Sequence, residues 1–284
     1  MLSQACKDSL LGMYYLASLP VRRHADSRRA AAGEAPVMTL FYHRVADEHP
    51  NGWTIPLEAF KEQINWVRER YKIVSLVEAQ QRIARGVNRE PVVCITFDDG
   101  YADNCRTALP WLIDEGVPAT YFVSTHHVLH GKSFQHDVEA GQPLAPNTPE
   151  QIRQLADAGI DIGAHTRSHI DLGAVEDEQT LHDEIVGSKH DLETLIDQPV
   201  RYFAFPFGLP QNMSEAAFRM AFNAGFWGVC SAYGGYNLPG DDPFHIQRIH
   251  GDPHWAQFRN WMTVDPRKLH GVERYRAGDY RLGF

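Results

Sequence analysis

Short apolar runs and helix-patterned segments take turns along almost the whole chain, and few folds accommodate that order. The runs "VMTLFYH", "YKIVSL", "PVVCITF", "PATYFV", "IDIGAH", "YFAFPF", "FWGVC" and "FHIQRI" are each bounded by Gly, Pro or charge, as strands are. Between them "PLEAFKEQINWVRERY", "NCRTALPWLIDEG", "TPEQIRQLADAG", "EDEQTLHDEIVGSKHDLETLI" and "SEAAFRMAFNAG" read as helices. Thr148 and Pro149 open one of these and Gly159 closes it; Ser214 and Gly225 bracket another. Strand–helix alternation demands parallel strands with helices over them. A series of this length favours closure into a distorted (β/α) barrel rather than an open sheet. Loops that follow barrel strands share one rim, where catalytic groups collect. The connections from Ser124 to about Asn147 and from Ser231 to Pro243 are long enough to be lids or binding walls there.

A chain of 284 residues with 43% hydrophobic and 22% charged residues suits such a fold, and its formal net charge of −9 argues against a nucleic-acid surface. A neutral sugar chain remains an acceptable partner. Cys6, Cys94, Cys105 and Cys230 form no C-x-x-C pair, so no zinc ribbon or redox motif is present. Cys94 and Cys230 sit in apolar runs and read as buried, reduced thiols, which favours the cytoplasm. The segment "SLLGMYYLASLP" imitates the core of a secretory signal, but Asp8 cancels Lys7, Pro20 and two arginines follow, and no small-x-small site appears. It reads as a short amphipathic helix docked on the domain or on a membrane surface, and it keeps membrane association or export open. The expected organisation is a helical extension over 1–36 and one domain over 37–284.

The chemistry gathers in three motifs. In "CITFDDGYAD", Asp98 and Asp99 are adjacent carboxylates, which need a counter-charge, a solvated turn or different protonation states. In "GAHTRSHIDL", His165 and His169 stand four apart, a spacing that in a helical turn puts both rings on one face. Alone, such a pair in a chain with fifteen histidines reads as two ordinary rim residues. Yet Asp-Asp-Gly, His-x-x-x-His and "FAFPFG" each follow a strand and reach the same rim. Two imidazoles and one carboxylate hold a divalent ion with positions left open, and the other carboxylate can act as general base. Spacing does not say which aspartate does which.

With "TFDDG", "HTRSH" and "FAFPFG" the sequence resembles the polysaccharide deacetylases, the NodB-homology domain of carbohydrate esterase family four, from about Val37 onward. "FYHRV" and "DDGYADN" are similar to members that process exopolysaccharide. The resemblance implies a distorted (β/α) barrel of about seven to eight strands, a divalent metal that is usually Zn2+, and hydrolysis of N-acetyl groups on amino sugars. Carried over by position, Asp98 is the general base, Asp99, His165 and His169 bind the metal, and the backbone N–H of Phe207 donates to the oxyanion. Many members carry an arginine where this chain has Ala204; Arg248 is the candidate replacement, its plainer reading being a surface ion pair. His250 is the choice for the acid that protonates the leaving amine, ahead of His136 and His43. Tyr233, Tyr236 and Trp255 are candidates for stacking on sugar rings, whereas Trp53, Trp66 and Trp111 read as structural. The competing readings are a deformylase or other C–N amide hydrolase on the same fold, and a non-catalytic carbohydrate-binding relative.

Overall fold

The computed structural model describes residues 4–251, 253–272, 274–278 and 280. Asp252, Glu273, Asp279 and the last four residues of the domain expected over 37–284 lie outside the described residues. The strands are β1 (Val37–Tyr42), β2 (Arg44–Val45), β3 (Thr54–Ile55), β4 (Lys72–Ile73), β5 (Val92–Phe97), β6 (Thr120–Val123), β7 (Asp161–Ala164), β8 (Tyr202–Ala204), β9 (Gly228–Cys230), β10 (His245–Ile246) and β11 (Ile249–His250). The helices are α1 (Gln4–Ala32), α2 (Leu57–Arg68), α3 (Leu76–Ala84), α4 (Ala108–Asp114), α5 (Thr125–His130), α6 (Gln135–Glu139), α7 (Pro149–Asp157), α8 (Glu178–Ile196), α9 (Glu215–Asn223), α10 (Trp255–Met262) and α11 (Pro266–His270).

Every residue of β1 and β5 is buried. That is the condition of a parallel strand covered on both faces, and it explains why these runs are apolar without alternation. The main sheet runs β10-β9-β8-β7-β6-β5-β1-β11, and its ladders are parallel. Because β1 takes one edge of β5, the other is shared, with β4 at Val92–Val93 and β6 at Thr96–Phe97. Closure comes from a single run: β10 pairs with β9, β11 pairs with β1, and only Gln247 and Arg248 separate them. The chain therefore forms the distorted barrel that its strand–helix alternation demands.

That crossing from β9 to β1 interrupts the ladder, and Asn237 repairs it. Its buried amide accepts from Gln247 N at 2.7 Å and donates to Gln247 O at 2.9 Å and Val37 O at 3.2 Å. Backbone groups left bare by the break are thus satisfied without a neighbouring strand.

Inside the barrel Cys94, Phe122, Tyr202, Ala204, Cys230 and Ile246 pack with Leu76, Ala79 and Ile83 of α3. Helix α3 closes the N-terminal mouth, where the Gln80 amide donates to Trp227 O and Pro243 O and accepts from Tyr202 Oη. The run "YKIVSL" is accordingly split: Lys72–Ile73 pairs, and Ser75 caps α3 by accepting from Glu78 N at 3.2 Å. The remaining helices cover the outside through a larger apolar layer. Helix α7 starts as its sequence directs, with a capping box between Thr148 and Gln151 and Pro149 in the first turn.

Helix α1 is 29 residues long, longer than the short helix expected. Arg22 fastens it to α10, donating to Asn260 O at 2.9 Å, Asn260 Oδ1 at 2.8 Å and Thr263 Oγ1 at 3.2 Å. Among the described residues no helix is long and apolar enough to cross a membrane.

The connection after β9 departs from the rim location expected for it. It leaves the rim at Ser231, but Asn237 pairs with Val37 and Gly240 N donates to Ile83 O at the opposite mouth. It is the descending return that a parallel strand requires, made without a helix. Tyr236 in this return is 1% exposed, donates to Trp261 O and accepts from Asp265 N. Trp255 packs against Trp66 and Phe258. Neither lines the rim, so neither is a sugar-stacking residue.

His245, at the start of β10, is buried with Nε2 2.9 Å from Ser231 Oγ and its ring against Phe218, Tyr233 and Tyr275. Burial pushes its imidazole down to about 4, against the pull of Asp242. An unfolded imidazole takes its proton near pH 6.5, the folded one only near 4. Acidification through that window therefore favours the unfolded chain, by roughly 3 kcal/mol once both values are passed. Urea unfolding at pH 7 and pH 4.5 should show this loss, and His245→Gln should reduce it.

Candidate active site

The two adjacent aspartates are separated by backbone geometry. Asp98 N donates to Tyr42 O at 2.9 Å, carrying the β1–β5 register one residue past Phe97. The chain then turns sharply, with Asp99 at φ 76° and Gly100 at φ 107°. A Cβ at Gly100 would also press on Val123 Cγ1 at 3.3 Å, so only glycine suits this turn. The turn sends the carboxylates to different partners, and like charges on neighbouring residues avoid sharing one environment.

Asp98 meets Arg248, which stands in the break between β10 and β11. Arg248 Nη1 donates to Asp98 Oδ1 at 2.6 Å and Nη2 to Asp98 Oδ2 at 2.8 Å, with both side chains buried. The guanidinium is held by Ser231 O at 2.9 Å and Thr96 Oγ1 at 3.1 Å, and lies over the rings of Phe41 and Phe122. Burial opposes its charge, but Asp98 outweighs burial and raises its pKa. Ala204, where many relatives by resemblance carry the bracing arginine, instead offers its backbone oxygen to the metal-ligand set.

Asp99 meets the two histidines. His165 Nε2 lies 3.4 Å and His169 Nε2 3.2 Å from the same atom, Asp99 Oδ1. The His165 Nδ1–H donates to Ala204 O at 2.8 Å, which leaves Nε2 with its lone pair facing Asp99. Asp99 Oδ1 is buried and accepts no hydrogen bond among the described residues. One carboxylate oxygen and two imidazole nitrogens within 4.8 Å of one another, with that oxygen orphaned, fit a divalent cation.

His165 and His169 are not on a helical turn as their spacing suggests. The segment is an irregular loop in which Thr166 has φ 60° and His169 φ 56°, pinned by Thr166 Oγ1 accepting from His169 N at 2.9 Å. Glu184 of α8 adds a second tie, accepting from Ser168 N at 2.8 Å. A four-residue spacing fits this turn as well as a helix. Asp99, Thr166, His169 and Phe207 all take left-handed backbone angles, a cost that packing sustains only where geometry matters.

Phe207 is placed beside this set, with its ring 5.1 Å from that of His169 and its backbone at φ 60°. Its N–H donates to no group among the described residues. His250 lies on β11 against Phe41 and, more distantly, His43 and Trp53. Burial pushes its imidazole down to about 4, so it enters any reaction near neutral pH uncharged. His43 follows β1 directly, alongside Asp98, and its buried Nδ1 has no partner among the described residues. His136 is 42% exposed on α6, its ring 6.3 Å from His169 and its Nε2 3.0 Å from Tyr101 Oη. The segment from Ser124 to Asn147 thus walls the His169 side, with Phe134 packed 5.4 Å from the His169 ring.

Two features escape sequence reasoning. Trp53 is 49% exposed, with its ring 4.8 Å from that of His43, and so lies on the rim and not in the core. A network also binds "FYHRV" to "DDGYADN": Asn104 Nδ2 donates to His43 O at 2.6 Å, Val45 N donates to Asn104 Oδ1 at 2.9 Å, and Arg44 Nε donates to Asp103 Oδ2 at 2.6 Å. The polar residues after Gly100 are the available signal, because a strand-end loop rich in Asp and Asn has backbone groups nearby to satisfy.

Fold and site define a class: a parallel barrel whose open mouth carries a metal-ligand set beside a separately braced carboxylate, the layout of metal-assisted hydrolysis. The model of the polysaccharide deacetylase family matches residues 85–226, half of the chain, and the chain belongs to that family. It is 29% identical over 176 residues to YxkH of Bacillus subtilis strain 168, which covers 61% of this chain and 57% of that protein. A chitooligosaccharide deacetylase of Bradyrhizobium sp. strain ANU 289 is 28% identical over 140 residues, covering 48% of this chain and 56% of that one. The chain thus spans a little over half the length of either relative. Among solved structures, the Streptococcus pyogenes deacetylase PplD in complex with acetate superposes with a TM-score of 0.68 at 20% identity, over 82% of this chain and all of that one.

Proposed function

We propose that this protein is an N-deacetylase that hydrolyses N-acetyl groups on the amino sugars of a polysaccharide or glycoconjugate, with Zn2+ as its metal. The observation that carries the reading is the convergence of Asp99, His165 and His169 beside Asp98, which Arg248 braces separately. A member of this family with ligands and base both in position has the parts that the chemistry requires.

Asp99, His165 and His169 would hold the ion, which when bound polarises the acetyl carbonyl and acidifies water. Asp98 takes the proton of the attacking water, and the Arg248 fork keeps it aimed. The Phe207 N–H donates to the carbonyl oxygen as that oxygen gains charge. The leaving nitrogen takes its proton from a rim imidazole, for which His250 is the assignment and His43 the neighbour. Because His250 starts neutral, it must first take up a proton, and the one Asp98 removes from water balances the one the leaving nitrogen receives. A single water attack completes the reaction without a covalent intermediate. On α1, the exposed Leu10, Met13, Leu16 and Val21 support peripheral membrane contact in addition to the glycan partner.

The test is metal content and acetate release. Purified protein should carry about one metal ion per chain, release acetate from chito-oligosaccharides, stop after chelation and recover with Zn2+. His165→Ala should lose both metal and activity. Metal without acetate release would sink the deacetylase reading while keeping the site.

A further inference from the structure

The loop that presents both histidines to Asp99 is fastened from outside the barrel, by α8. Along its inner side the loop runs beside the start of the wall. Ser124 Oγ donates to His165 O at 2.8 Å, Thr125 N to Thr166 O at 3.3 Å and His126 N to Arg167 O at 2.8 Å. Helix α8 closes over both stretches. Its Asp191 accepts from Arg167 Nε at 2.8 Å and from Arg167 Nη2 at 2.9 Å. The same carboxylate accepts from Thr125 Oγ1 at 3.0 Å. One side chain of α8 thus gathers the ligand loop and the wall, and Glu184, on the same face of the helix, takes Ser168 N.

Arg167 reaches Asp191 by crossing α8 at Gly187. A Cβ there would stand 2.5 Å from Arg167 Cζ and 2.6 Å from Nε, so the guanidinium lies in a notch that a larger residue would fill. Glycine inside a helix costs stability relative to alanine, and Gly187 takes no left-handed angle that would call for it. The notch accounts for it. The contact itself is two-pronged, which fixes orientation as well as distance. With the side chains 36% and 18% exposed, the pair contributes little to global stability. Its effect is local. Thr166 and His169 hold left-handed angles, strained positions that persist only where the surroundings over-determine them. Arg167 and Ser168, which lie between them, are the residues that α8 grips.

We propose that Arg167 and Asp191 are positioning residues for the metal: seated at Gly187, the pair holds the loop between His165 and His169 in the conformation that aims both imidazoles at Asp99, and so sets how tightly the ion is bound. The proposal rests on the reading of Asp99, His165 and His169 as metal ligands and is independent of which glycan is cut. Neither residue is itself a ligand; both act through the backbone from Thr166 to His169, as partners that orient a ligand do.

The probe is Zn2+, measured on the full chain by competition with a chromogenic chelator. Asp191→Asn and Arg167→Gln should each weaken Zn2+ binding by roughly 10–100-fold, the usual cost of losing a group that orients a ligand. The double variant should bind no more weakly than either single one, because the two residues act as a unit. Gly187→Ala keeps both charges and puts a methyl in the notch. It should weaken Zn2+ comparably even though alanine strengthens a helix. Urea midpoints of the metal-free proteins should move little, which separates lost affinity from lost folding. With Co2+ as the ion, the visible absorption of the variants should differ from that of the parent, a change in ligand geometry that a merely structural pair would not cause. Unchanged Zn2+ affinity in Asp191→Asn and Gly187→Ala, or losses that add in the double variant, overturns the proposal. A parent chain that binds no Zn2+ sinks the ligand assignment and this proposal together. Acetate release from chito-oligosaccharides reads the deacetylase assignment separately: weakened Zn2+ binding in the variants, with no acetate from the parent, sinks that assignment and leaves the positioning roles standing.

Discussion

Asp98→Asn should reduce turnover by roughly 10²–10⁴-fold and leave the bound metal in place. The expectation follows from the turn at Asp99 and Gly100, which parts the two carboxylates. The Asp98 carboxylate accepts from Arg248, whereas Asp99 faces both imidazoles. An asparagine at 98 still offers one oxygen to the Arg248 fork but has no basic lone pair for a water proton. Some stability should be lost with the charge, so the rate is compared at a temperature where circular dichroism shows both proteins folded. Metal analysis of the purified variant decides the assignment. If the metal disappears together with the activity, base and ligand are not divided between the two aspartates.

Arg248→Ala should have the largest effect on stability, about 3–5 kcal/mol, because it strands a buried carboxylate without its cation. Asp98 is almost wholly buried, and Thr96 Oγ1 and Ser231 O lose a donor at the same time. The single variant risks failing to fold, so two further variants carry the argument. Arg248→Lys keeps a charge but cannot make the two-pronged contact, and it should fold while losing most activity. The pair Arg248→Ala with Asp98→Asn should be more stable than Arg248→Ala alone, since the uncompensated charge is gone. Equal stability of the single and double variants in a urea titration would falsify the claim that Arg248 exists to hold Asp98.

The strand positions are legible in the sequence because a parallel strand covered on both faces needs no polar residue, as β1 and β5 show. The means of closure is not legible. Nothing local marks Gln247 and Arg248 as a break in "FHIQRI", because the break is imposed by two edges that lie far away in sequence. Residue types after β5 and β7 point to two imidazoles and one of two adjacent carboxylates, and the resemblance to the family is what assigns Asp99 to the metal and Asp98 to the water. The conformation of the histidine segment is hidden, because a spacing of four is shared by a helical turn and by a loop with two left-handed residues. Aromatic residues mislead most. Trp53 and Tyr236 sit in equally polar loops, yet one faces water and the other is sealed between α10 and the segment before α11. Side-chain exposure there depends on where a loop travels after it leaves the rim, and that is settled by contacts with distant segments.

Both aspartates and both histidines have been synthesised by residue 169, but the guanidinium that braces Asp98 arrives only with the stave that shuts the barrel. A nascent or clipped chain ending before that stave would own every ligand and still carry an unanchored base. Anchoring of the proposed base is therefore coupled to formation of the last pairing that closes the barrel.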